Sequence, residues 1–240
     1  MVYGITQGPF GTKCGMSRLL RLVTQVVAVL VLHGAALAQD IPAAVGRITY
    51  GEAPAPGAAI CTGVLVAPDL VLTAAHCVRG AADTPETLRF EAGWTVAGPI
   101  GQRRGQQVIL TGPALLPGLA GLTGDVALIL VDPPFSPEEA IPLRLAPPAD
   151  GDFTLHAFRR DAPDQPAPAV TCIPRATPPG LLGLDCPVVS GNSGAPLLQR
   201  HGPDWQIAAV MVAASGSGPI RSWAALPPVL LQQRIPAMGG

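Results

Sequence analysis

Ser190-Gly191-Asn192-Ser193-Gly194-Ala195-Pro196 is the stretch on which the reading of this chain turns. A serine set between two glycines, followed by a small residue and a proline, forms a tight turn that presents a hydroxyl. Gly191 admits backbone conformations closed to residues with a Cβ. In such a turn the amide N–H groups of Gly191 and Ser193 converge on one point, where they would hold a developing oxyanion.

A serine hydroxyl is a weak nucleophile without a base. Thr73-Ala74-Ala75-His76-Cys77 supplies a histidine, just after the apolar runs Val64–Val66 and Leu70–Leu72. Gly124-Asp125-Val126-Ala127-Leu128-Ile129-Leu130 supplies an aspartate at the head of a strand-like run. The apolar residues after Asp125 would bury its carboxylate and let it orient an imidazole; Asp132 lies nearby without that setting. Ser193 is therefore expected as nucleophile, His76 as base and Asp125 as the group that orients it. An imidazole base implies activity that falls as the ring protonates. His76 beside Cys77 lacks the ligand spacing of a zinc site, so no metal is expected. His156 and His201 have no partner pattern and read as surface or turn residues. Asp161 and Asp164 read as solvated.

Further apolar runs follow at Ala59–Val66, Asp69–Thr73, Gln107–Leu110, Val126–Val131, Phe153–Phe158, Ala195–Leu198 and Ile207–Ala213. Each is about four to eight residues long, rich in β-branched types and bounded by Gly, Pro or Asp, which is the pattern of an all-β sandwich or barrel. Pro133-Pro134, Pro147-Pro148 and the stretch 161–168 interrupt the runs. Residues 142–150 read as a linker that leaves His76 and Asp125 in one half and Ser193 in the other. A short helix is expected near Leu226–Arg234. No internal repeat is present.

The blocks TAAHC, GDVALI and GNSGAP occur in that order and resemble the signature blocks of the trypsin/chymotrypsin-like serine proteases, with GNSG as in bacterial, secreted members. The resemblance covers roughly Ile48 to the end. It implies an all-β fold of two six-stranded antiparallel β-barrels with the active site in the cleft between them, at about 48–141 and 151–225. It implies a triad of His76, Asp125 and Ser193 and an oxyanion hole from the amides of Gly191 and Ser193. It also implies peptide-bond hydrolysis through an acyl-enzyme, with no cofactor.

The chain has 240 residues, 48% of them hydrophobic and 13% charged, with a formal net charge of −1. That charge gives no electrostatic case for nucleic acid, and the body of the chain has no basic run. Arg18 and Arg21 precede an apolar run from Leu22 to Leu32 and then Ala36-Leu37-Ala38, the layout of a signal peptide over residues 1–38. The run is shorter than the ~20 residues of a membrane span. Met16 offers a second start that gives a more usual signal length. Cleavage leaves a peptidase domain at 39–240 without stable membrane insertion. It removes Lys13, Arg18 and Arg21, so 12 of the 15 basic residues remain against all 16 acidic ones, a net −4. It also removes Cys14, and the four remaining cysteines of an exported chain suggest disulfides. Four cysteines allow three pairings. The resemblance favours Cys61–Cys77, which would tie the His76 loop to the preceding strand. Cys172–Cys186 would then close a loop of about 15 residues, worth ~3 kcal/mol in the chain-entropy model.

The chain also departs from the resembled family. Trypsin-like enzymes carry an aspartate six residues before the nucleophile; Pro187 stands there, so a preference for Arg or Lys is not expected. A gap-free count from Ser193 puts Val212, Ala213 and Ala214 beside the substrate, with Pro187, Val188 and Ser190 opposite, as an apolar pocket for small or medium side chains. Val212 occupies a position where the family usually has a serine that supports the triad aspartate. Arg47-Ile48 faintly resembles a zymogen cleavage site. The acid that would pair with a freed N-terminus is replaced by Asn192, so activity without that ion pair is expected. The leading expectation is a secreted or periplasmic serine endopeptidase acting on peptide or protein substrates. An esterase on the same triad and a non-catalytic, partner-binding member are the alternatives.

Overall fold

In strands, apolar side chains alternate with polar ones, and here both faces of several strands are buried because two cores lie on either side of the chain. The computed structural model describes residues 41–51, 60–112, 117–216 and 218–228, together with Met1, Gly4, Ala58 and Leu231. Apart from Met1 and Gly4, the expected signal segment lies outside the described residues. So does the expected C-terminal helix, except for Leu226–Pro228 and Leu231. Among the described residues, every strand belongs to the compact unit Ile41–Gly240.

Six strands form the first barrel: β1 (Val45–Tyr50), β2 (Cys61–Ala67), β3 (Leu70–Thr73), β4 (Leu88–Thr95), β5 (Gly98–Leu110) and β6 (Ala127–Asp132). They close in the order β1-β2-β3-β6-β5-β4. A two-residue turn at Pro68-Asp69 joins β2 to β3, where proline and aspartate are favoured turn residues. Two short helices, α1 (Ala75–Val78) and α2 (Leu119–Thr123), interrupt the strands.

The second half holds β7 (Arg144–Leu145), β8 (Phe153–Leu155), β9 (Phe158–Arg159), β10 (Ala162–Pro166), β11 (Val170–Cys172), β12 (Pro174–Ala176), β13 (Leu181–Leu184), β14 (Pro196–His201), β15 (Asp204–Ala214) and β16 (Ser222–Ala225). Its main sheet runs β11-β8-β14-β15-β16-β13-β12, a nearly closed barrel. β9 and β10 form a separate ribbon. The all-β, two-barrel expectation holds, but this second sheet has seven strands in its path and does not close as the first does.

The expected linker 142–150 contains β7, which pairs parallel with β15 through Gln206 and Ile207. The expected strand Phe153–Phe158 is two strands, broken at His156-Ala157. The proline-containing stretch 161–168 holds β10, which pairs with β9 in spite of its prolines. β15 lies between the two cores. Val210 and Val212 pack into the first, with Val64, Leu72 and Val126, while Ala209 and Met211 pack into the second, with Phe153 and Leu197.

Candidate active site

β3 and β6 are neighbours with Thr73 opposite Ala127, so the segments at their ends meet. α1 follows β3 and carries His76; Asp125 lies two residues before β6. The Asp125 side chain is 3% exposed. Its Oδ1 accepts the His76 backbone N–H at 2.7 Å, and its Oδ2 accepts the ring Nδ1–H at 2.6 Å. The Asp125 carbonyl accepts the Ala75 N–H at 3.2 Å. One carboxylate thus holds His76 at both its backbone and its ring, the ring through Nδ1. The Tyr50 hydroxyl donates to the Cys77 carbonyl and holds α1 from β1; burial pushes that phenol above its usual range.

Two hydrogen bonds tie the serine turn to this assembly. The Thr62 N–H on β2 donates to the Ser193 carbonyl at 2.8 Å, and the Thr73 hydroxyl donates to the Thr62 carbonyl at 2.8 Å. Gly194, at φ +80°, lies against the same place: a Cβ there would collide with the Thr73 Oγ1 and the Thr62 carbonyl. Gly191, at φ +102°, packs against the backbone of Phe158, Arg159 and Arg160, where a Cβ would come within 2.7 Å of the Arg160 nitrogen. Each glycine therefore meets two requirements, a left-handed backbone and a close approach. Among the described residues, the N–H groups of Asn192, Gly194 and Ala195 donate to the carbonyls of Val189, Met211 and Asn192. Those of Gly191 and Ser193 donate to none.

Asn192 is 6% exposed and bonded at both ends of its amide. Its Oδ1 accepts the Val189 N–H at 2.8 Å, and its Nδ2 donates to the Phe158 carbonyl at 2.9 Å. A neutral amide does this with two bonds and needs no ammonium partner. Ile48 lies inside β1, paired with Cys61 and Phe90. Arg47 is buried against Glu91 on β4, with Nε to Oε2 at 2.7 Å, and it also donates to the Pro163 carbonyl at 2.6 Å and to Asp164 at 3.1 Å. The Arg47–Ile48 bond is thus part of a barrel strand.

Val188, Val189, Ser190, Ser193, Met211, Ala213 and Ala214 line a cavity of about 480 Å³. Of the residues expected in a pocket, Val188, Ser190, Ala213 and Ala214 are there. Pro187 is exposed and does not line it, and Val212 points to the other core, because alternate residues of β15 face opposite ways. Met211 takes the inward position, and Val189 stands at the rim. The period-two alternation of β15 was the signal that could have found Met211.

The disulfides join Cys61 to Cys77 and Cys172 to Cys186. The sulfurs of Cys61 and Cys77 lie near the His76 ring, but bonded to each other they offer no thiolate to a metal. His201 is exposed. His156 is not the surface residue expected: it is 1% exposed, packs edge-on to Trp205, and among the described residues its Nε2 has no partner. Burial, with the Arg200 charge second, pushes its pKa down to about 4. Asp161 and Asp164 are exposed but paired, Asp161 with Arg159 and Asp164 with Arg47. Among the described residues no helix is long and apolar enough to cross a membrane.

The family model of the trypsin-like peptidase domain matches residues 61–203, more than half of the chain. The chain belongs to that family. The matched stretch of this trypsin-like peptidase domain contains the His76, Asp125 and Ser193 segments. Similar solved structures include the scabies mite inactivated protease paralogue S-D1, at TM-score 0.61 and 13% identity over 82% of this chain and 93% of that one. A Glu endopeptidase in complex with MPD matches at TM-score 0.63 and 18% identity, over 82% of this chain and 90% of its own. At these identities they share the fold. No curated protein sequence matches the chain.

Proposed function

We propose that this protein is a serine endopeptidase whose triad is His76, Asp125 and Ser193. The observation that carries the reading is the double hold of Asp125 on His76, at 2.7 and 2.6 Å, with the Ser193 turn hydrogen-bonded to the same barrel through Thr62. Ser193 Oγ attacks the substrate carbonyl carbon while His76 Nε2 takes the hydroxyl proton. The carbonyl oxygen becomes an oxyanion and receives the N–H groups of Gly191 and Ser193. His76 then gives its proton to the leaving amine as the C–N bond breaks. Water, deprotonated by His76, then attacks the acyl carbon; the bond to Ser193 Oγ breaks, His76 returns the proton to Oγ, and the acid is released. Asp125 keeps the ring in the tautomer that has Nε2 free and stabilises the imidazolium.

The cavity is lined by Val188, Val189, Met211, Ala213 and Ala214 together with Ser190 and Ser193 and carries no charged side chain, which favours small or medium uncharged side chains on the acyl side of the cleaved bond. The bonds of Asn192, and the place of Ile48 inside β1, support activity without a freed N-terminus. Two disulfides and the signal layout of residues 1–38 support export to the periplasm or beyond.

Intact mass after treatment with a fluorophosphonate tests the reading. One adduct on the uncleaved chain, absent from Ser193→Ala, is expected, together with hydrolysis of peptide anilides that have Val or Leu rather than Arg or Glu before the bond. No adduct on folded protein would point to a partner-binding member. An adduct with hydrolysis of esters alone would point to an esterase.

A further inference from the structure

We infer that Thr62 is a positioning residue for the oxyanion turn: its side-chain hydroxyl, supplied by the first barrel, holds the Gly191 peptide of the second in the orientation that acylation needs. The inference rests on the serine-acylation reading of Ser193. Thr62 is fully buried, at 0% exposure. Its hydroxyl donates to the Gly191 carbonyl at 2.8 Å and accepts the Phe158 N–H at 2.9 Å. Its backbone donates to Ser193 and accepts from Thr73. A residue on β2 thus uses every hydrogen-bonding group it has on the three segments that meet at the site.

The geometry explains what the hydroxyl does. In a planar trans peptide the N–H points opposite to the carbonyl. The Ser190 carbonyl accepts the Arg160 N–H at 2.9 Å, so the Gly191 N–H is directed away from that segment. The Gly191 carbonyl is held by Thr62, and the N–H across that peptide, from Asn192, donates to Val189 at 3.0 Å. Both peptides flanking Gly191 are therefore held by their carbonyls. Glycine at φ +102° has other conformations within easy reach. Without the Thr62 hydroxyl the Gly191 carbonyl and the Phe158 N–H would both be left without that partner in a buried place, and rotation of the turn would relieve the loss. That rotation would carry the Gly191 N–H out of the oxyanion position. Threonine rather than valine at this point of β2 is what the chemistry requires, because valine has the same shape and no donor.

The test uses the full chain with Thr62→Val, Thr62→Ser and the Ser193→Ala control. Fluorophosphonate labelling rates, kcat and KM on a peptide anilide with Leu before the bond, and thermal midpoints are measured. Thr62→Val is expected to slow labelling and kcat by ~10–100-fold, short of the loss of an oxyanion donor outright, with KM within about twofold. Thr62→Ser, which restores the hydroxyl, is expected within about threefold of wild type. The backbone bond from residue 62 to Ser193 remains in every variant, so the difference reports on the Gly191 peptide. Thr62→Val that labels at the wild-type rate overturns the inference. So does Thr62→Ser as slow as Thr62→Val, or a change confined to KM or to the thermal midpoint. If Thr62→Val does not fold, Thr62→Ala carries the same comparison against Thr62→Ser. Folded wild type that fails to label overturns the acylation reading and this inference with it, whereas normal wild-type labelling beside an unaffected Thr62→Val overturns this inference alone.

Discussion

Asp125 binds His76 through both carboxylate oxygens, and the two bonds have different consequences. The bond to the backbone N–H positions α1; the bond to Nδ1–H selects the ring tautomer. Asp125→Asn keeps the shape and can still accept from the backbone, but its amide NH₂ would face Nδ1 and turn the tautomer round. kcat should fall by ~10³–10⁴-fold with little change in the thermal midpoint. Steady-state kinetics beside a melting curve would check this, and a kcat within tenfold of wild type would remove Asp125 from the triad. Val212 adds no hydrogen bond to this carboxylate, since its side chain packs in the first core. The His76 backbone N–H is what accompanies the ring at Asp125.

Strands β1 and β4 show how a charged pair can be part of a barrel. Arg47 and Glu91 are direct cross-strand partners and both are buried. Arg47 also lies 4.8 Å from the Trp94 ring and reaches β10 through Pro163 and Asp164. Removing one member strands the other charge in a dry place, which costs about 3–5 kcal/mol. Arg47→Ala should therefore lower the unfolding free energy in urea by that order, and Arg47→Met with Glu91→Leu should recover most of it. A single variant as stable as wild type would show that the pair contributes little. The same pair hid both strands in the sequence: a run with Arg or Glu at an inward position lacks the apolar signature of a strand. The polar first half of β5 was hidden for a related reason, since its outward residues face water while its pairing to β4 is what makes it extended.

At the scale of the whole molecule, His156 couples stability to pH. Its pKa is about 4 in the fold against 6.5 as a free side chain. Between those values the unfolded chain binds a proton that the folded one refuses. Stability therefore falls as pH drops from about 6.5 to about 4, and this contribution is flat below that window. Denaturant midpoints of wild type and His156→Phe, measured from pH 7.5 to 4, should converge or cross as the pH falls, with wild type losing more. Parallel curves would mean that His156 is not held neutral.

The turn at Ser193 and the segments that bring His76 and Asp125 together were legible in the sequence because each is local: glycines at fixed offsets from Ser193, a histidine just after an apolar strand, an aspartate just before one. The all-β class was legible too, since short aliphatic runs between Gly, Pro and Asp have few other uses. Tertiary structure decided the rest. Whether the second sheet closes, which face of β15 meets the cavity, and whether His156 is wet or dry depend on partners distant in sequence. Thr62 is the clearest case. Nothing local marks it, because its hydroxyl is satisfied by a carbonyl 129 residues away and an amide 96 residues away. A hydrogen bond between two barrels has no signature in either strand alone.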